Sequence, residues 1–257
     1  GGKPMKSLNS FADHAPKREW LVSFFDLKEA FFTEHSLGPM MYDMFRRFLR
    51  DAGLNEKNHF TSFAELIEQI GWESDTALGL MMVNLAMENP QIAWYVNTLD
   101  IGVYYERKQV EEMLTSLDVK PKDAKSIVKS YKRIMETPFG TTLNFGYFTD
   151  DENIVRLKWS MSDNRVFLYA LYRFVEKCNL NREFNVSYLF DESIERDGVS
   201  PVRLFGLYDE EELRNVLLGL SARYPNFINA TYTNDLQSIS LRDKSSSDVL
   251  KLFEEEY

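Results

Sequence analysis

The chain has 257 residues, 44% of them hydrophobic and 27% charged, which excludes disorder along its length and suits two compact cores better than one. A formal net charge of -10 excludes a surface given over to nucleic acid, though not a local basic patch. No run of about 18 apolar residues offers a membrane-spanning helix, and the single cysteine, Cys178, excludes an internal disulfide and any metal centre built on several thiolates.

One cysteine and no apolar secretory segment near Gly1 are what a reducing, cytoplasmic setting expects. The chain begins Gly-Gly rather than Met, which reads as the scar of a cleaved tag on part of a longer protein. Residues 1–16 are polar and expected as a loose arm. From Lys17 to Phe32, Trp20, Leu21, Phe24, Phe25, Leu27 and Phe31 recur at helical spacing. Pro39 opens a helix that Gly53 stops. Ser62 to Ile70 and Ser74 to Met87, joined through Gly71, form a helix-turn-helix pattern, which is common in helical proteins that never touch DNA. A short helix at 90–98, a strand at 101–105 and a helix at 106–114 follow.

Pro121 then sits in the first turn of a long amphipathic helix ending near Met135. Two β-like runs, 142–148 and 154–160, meet around Thr149-Asp150-Asp151-Glu152-Asn153 as a hairpin. This closes a helical module over 17–162. The second module, 163–257, repeats the order: helices at 164–178, 186–194 and 209–223, a one-turn helix capped by Ser200 before Pro201, and a hairpin of 227–233 and 237–241. Helices followed by a hairpin make it winged-helix-like. A last helix covers 247–257. The fold class expected is mainly α with small β-hairpins (α+β), in two helical modules.

Several segments of the second half resemble a known family. Gly198-Val199-Ser200-Pro201-Val202-Arg203-Leu204-Phe205-Gly206-Leu207 is similar to a stretch of bacterial proteins related to phosphoadenosine phosphosulfate (PAPS) reductase. So are the segments 137–140, 167–174, 224–232 and 235–242. They also resemble an uncharacterised domain family encoded beside such proteins, including those of DNA phosphorothioation systems. The likeness spans about residues 130–253 and rests on apolar positions and turns. The reductases' Ser-Gly-Gly-Lys-Asp-Ser-like nucleotide loop is missing, since the only Lys-Asp pair, Lys122-Asp123, has no glycine beside it. Their cysteine-bearing tail is missing too. The resemblance therefore implies an accessory region without catalytic residues or cofactor of its own.

The residues themselves offer one candidate surface. Lys120 to Arg133 holds Lys120, Lys122, Lys125, Lys129, Lys132 and Arg133 against the single acid Asp123. Lys122, Lys125, Lys129, Lys132 and Arg133 share a helix face opposite Ala124, Ile127, Val128, Tyr131 and Ile134. Such a row can track phosphates; it can equally be a solvated face. The helix at 209–223 holds the recognition position of a winged helix, yet Asp209, Glu210, Glu211 and Glu212 crowd its first turn, which suits a protein contact better than DNA. Arg242 and Lys244, after the hairpin, are candidates for phosphate contact in the manner of a wing. His14, His35 and His59 have no metal-ligand spacing, and Trp72, Trp94, Tyr95, Tyr104 and Tyr105 are expected in the first module's core. The partners expected are a nucleic acid on the basic helix, or a protein or catalytic domain, with no membrane. Two other readings remain: an independent winged-helix regulator, and a small-molecule enzyme with a scattered site.

Overall fold

The computed structural model describes residues 8–193 and 197–254, so the outer parts of the expected 1–16 arm, 186–194 helix and C-terminal helix lie outside the described residues. The chain divides into two units, Gly1–Ser160 and Met161–Tyr257, close to the expected boundary after residue 162. The fold is α+β and mostly helical, with small antiparallel sheets.

The first unit begins with a correction. Residues 8–16 are not loose: Leu8, Phe11 and Ala15 are buried, and Phe11 donates its backbone N–H to the Gln91 side-chain oxygen at 3.1 Å. The helix expected over 17–32 is broken, as α1 (Arg18–Leu27) ends where Lys28 turns left-handed with φ 55°, a 3-10 turn follows, and α2 (Phe31–Glu34) completes it. After α3 (Pro39–Asp51), a small hairpin of β1 (Asn55–Glu56) and β2 (His59–Phe60) leads into α4 (Ser62–Ile70) and α5 (Asp75–Glu88). Thr61 and Ser74 cap α4 and α5 by accepting the Ala64 and Ala77 N–H groups. Every residue of α5 from Ala77 to Met87 is buried. An apolar helix enclosed on all sides is a core element, so the 62–87 pair cannot present a groove-reading helix.

The remainder of this unit is α6 (Pro90–Thr98), β3 (Tyr104–Glu106), α7 (Arg107–Thr115), α8 (Pro121–Met135), the short α9 (Pro138–Thr141), β4 (Gly146–Phe148) and β5 (Asn153–Arg156). Its sheet has the order β3-β5-β4, all antiparallel, with Val155 opposite both Tyr104 and Tyr147. Arg156 ends β5 fully buried and donates to the Val96 and Leu99 carbonyls, both at 3.0 Å, fixing the strand against the end of α6.

In the second unit, α10 (Arg165–Cys178) leads to β6 (Glu183–Asn185), a strand not anticipated from sequence. The expected helix at 186–194 is a 3-10 turn over Val186–Phe190. Then come α11 (Pro201–Phe205), α12 (Glu210–Arg223), β7 (Ile228–Tyr232), β8 (Gln237–Leu241) and α13 (Ser246–Glu254). Ser200 does not cap α11; its hydroxyl donates to the Leu189 carbonyl at 2.6 Å. Asp209 does cap α12, accepting the Glu212 N–H at 2.9 Å. The sheet order is β6-β8-β7, the winged-helix-like arrangement. Tyr172 on α10 donates to the Phe227 carbonyl at 2.7 Å, and burial pushes its pKa up to about 12. Arg165 grips Asp163 at 2.6 Å and lies over the Phe253 ring, tying α10 to α13.

Candidate nucleic-acid interface

Helix α8 forms because Pro121 presets its first turn and its apolar residues fall on one side. Ala124, Ile127, Val128, Tyr131 and Ile134 are buried, and Tyr131 donates to the Gln91 carbonyl at 2.6 Å. The opposite face is exposed at Lys122, Lys125 and Lys129, with Lys120 exposed just before the helix. Among the described residues these four lysines have no hydrogen-bond or ion-pair partner.

Lys132 and Arg133 do not extend that free row. Lys132 sits 3.4 Å from Glu152 of the β4–β5 turn and over the Phe148 ring, so its charge is already engaged. Arg107 of α7 reaches the same carboxylate at 3.8 Å. Arg133 is half-buried on the flank of α8 that residues 8–17 line. Along that flank Asn9 donates to Asp123 at 3.4 Å and accepts from the Ser126 hydroxyl at 3.1 Å. His14 is held below its ordinary pKa by burial first and by Arg133 next, then by Lys17 and Lys129, against the opposing Asp13. Positive charge thus gathers from two segments distant in sequence, which spacing alone could not reveal.

Arg242 and Lys244 lie just after β8, at the base of the β7–β8 hairpin, where the sequence places them. Arg242 donates to the Pro225 carbonyl at 3.1 Å, and Lys244 stands over the Phe227 ring. Helix α12 carries Glu210, Glu211 and Glu212 exposed in its first turn. Between α12 and the hairpin is a cavity of about 720 Å³ whose polar lining includes Glu210, Glu211, Arg214, Asn215 and Gln237. Arg214 lies 5.3 Å from the centre of the Tyr232 ring there, and burial raises the Tyr232 pKa.

The histidines stay apart: His35 stacks on Tyr42 and His59 faces Glu29 at 3.2 Å. No group of three or more His, Cys, Asp or Glu among the described residues could hold a metal ion. No helix among them is long and apolar enough to cross a membrane. Of the aromatic cluster, Tyr95 and Tyr105 are core residues, but Tyr104 is 61% exposed and bonds hydroxyl to hydroxyl with Tyr147 at 3.2 Å.

The described residues form a mainly helical protein with one two-stranded and two three-stranded sheets, and α8 carries lysines that have no partner among them. No protein-family model and no curated protein matches the chain. Two crystal structures share its fold. A magnesium-bound structure of SspB aligns with TM-score 0.69 at 15% identity, over 95% of this chain and 85% of that one. Another SspB structure aligns with TM-score 0.64 at 12% identity, over 100% of this chain and 85% of that one.

Proposed function

We propose that the chain is a non-catalytic accessory region of a PAPS-reductase-like or sulfur-transfer system, working in the cytoplasm, and that it binds nucleic acid through α8. The observation that carries this is the row Lys120, Lys122, Lys125 and Lys129, which has no hydrogen-bond or ion-pair partner among the described residues, in a protein of net charge -10. A cationic row left without partners in a chain rich in acids is a surface awaiting an external anion. Lysines meet phosphates as point charges and read no sequence, so binding is independent of sequence. The sequence resemblance supports the accessory role.

Fluorescence anisotropy on unrelated duplexes at several salt concentrations tests the proposal. About four phosphate contacts give a log–log salt slope of about -4, and Lys125→Glu with Lys129→Glu makes it shallower by about two. Absence of binding by the wild type at low salt, or unchanged binding by the double variant, overturns it. The acidic first turn of α12 and the polar cavity beside it favour a second reading for that surface, a protein partner presenting basic side chains.

A further inference from the structure

The two units carry the same motif. In the first, helix α6, strand β3, helices α7 and α8 and the hairpin β4–β5 follow in order, with strand order β3-β5-β4. In the second, α10, β6, α11, α12 and the hairpin β7–β8 do the same, with strand order β6-β8-β7. First strand, third strand, second strand is the arrangement in both. The last long helix before the hairpin is α8 in one, followed only by the four-residue α9, and α12 in the other, and their charges are opposite.

From this repeat, and resting on the nucleic-acid reading above, we infer that α8 is the groove-entering helix of a first winged-helix-like motif and that its partner is B-form DNA. Three observations fix the orientation. Lys120, Lys122, Lys125 and Lys129 occupy the N-terminal two-thirds of the exposed face, where the positive end of the helix dipole adds to them. From Lys120 to Lys129 the helix rises about 14 Å, enough to address phosphates on both sides of a major groove about 12 Å wide. The hairpin tip is acidic and exposed at Asp150, Asp151 and Glu152, and Glu152 is held at the C-terminal end of α8 by Lys132 and Arg107. The helix therefore enters N-terminus first, with its wing off the phosphates. The acid in its first turn, Asp123, is turned aside to Asn9. Duplex RNA is a poor alternative because its major groove is too deep and narrow to admit a helix.

The experiment compares one 24-base-pair random sequence as duplex DNA and as duplex RNA, by anisotropy at low salt, with the wild type and with Lys122→Glu/Lys125→Glu. Both positions are exposed, and circular dichroism verifies that the variant is folded. Wild type is expected to bind DNA at least about tenfold more tightly than RNA, with the variant losing at least about tenfold on DNA. Methylation of guanine N7, an atom of the major groove, is expected to fall when wild type saturates the DNA. Equal affinity for the two duplexes, or unprotected N7 despite binding, overturns groove entry while leaving the phosphate-track reading intact. No binding to either duplex overturns both.

Discussion

Asn89 donates its side-chain amide to the Asp51 carboxylate at 2.9 Å, deep in the first unit, while its own carbonyl oxygen accepts the Gln91 and Ile92 N–H groups. One residue thus caps α6, satisfies a buried acid on α3 and, through Ser10 at 3.0 Å, fastens the N-terminal segment. Asn89 is 1% exposed, so its loss would leave several buried polar groups without partners. Asn89→Ala is expected to lower the stability of the first unit by about 2–4 kcal/mol, from a lost cap plus an unsatisfied buried acceptor. Urea titration followed by tryptophan fluorescence measures this, and a loss below about 0.5 kcal/mol would contradict it.

Asp51 itself gives a pH dependence. Burial raises its pKa from the ordinary 3.8, more than the Asn89 hydrogen bond and the neighbouring Arg50 and Arg47 lower it. The folded protein then holds the Asp51 proton more tightly than the unfolded chain does. Its contribution to stability is complete below about pH 3.8 and is lost as pH rises through the folded value. Asp51→Asn should flatten the stability curve over that window relative to wild type. Identical slopes in denaturation series from pH 4 to 7 would show that Asp51 titrates normally.

Gly140 lies within α9, packed against the C-terminal end of α8. A methyl group added there would overlap the backbone carbonyl oxygen of Met135, which cannot swing away as a side-chain end could. Gly140→Ala is expected to cost about 3 kcal/mol or more and to loosen the C-terminal turn of α8. Hydrogen exchange at the amides of Lys132 to Met135 should accelerate in this variant, and unchanged protection would refute the steric account.

Some of this was legible in the sequence and some was not, for physical reasons. Helix α8 and its two faces could be read directly, because Pro121 marks the start and the apolar residues keep a 3.6-residue period to Ile134. The buried N-terminal segment left a fainter mark, Leu8, Phe11 and Ala15, masked by the polar residues between them. The nearly unbroken apolar run of 77–87, interrupted only by Asn84, was the sign that α5 is core rather than a reading helix. The strand near 101–105 and the hairpin of the first unit could be read as β-like runs, but not the pairing of β3 with β5, because strands of three residues take their partner from long-range register. Nor can spacing show that Lys132 belongs to Glu152, 20 residues away in sequence.

The proposed accessory role beside a PAPS-reductase-like partner, in a chain without that family's nucleotide loop, carries its own expectation. The purified chain should neither reduce PAPS nor hydrolyse ATP. Turnover above a no-enzyme control that a point substitution within this chain abolishes would establish a catalytic site in it.

The pairing of Lys132 with Glu152 supplies a test from the opposite direction, a gain rather than a loss. Both side chains are partly exposed, 39% and 54%, so the contact contributes little to stability. The effect expected on the proposed DNA binding is larger, since Glu152 both occupies Lys132 and places negative charge beside the end of the lysine row. Glu152→Gln removes that charge and frees Lys132 and Arg107. Duplex DNA affinity at low salt should then rise about three- to tenfold, and the salt slope should steepen by about one as Lys132 gains a phosphate. Lys132→Gln in the wild-type background should change affinity little, because that ammonium is already engaged. In the Glu152→Gln background the same substitution should cancel most of the gain. Anisotropy titrations of the four proteins, read as a double-mutant cycle, give the coupling directly. Equal losses from Lys132→Gln in both backgrounds would mean that Lys132 meets the phosphates in spite of Glu152.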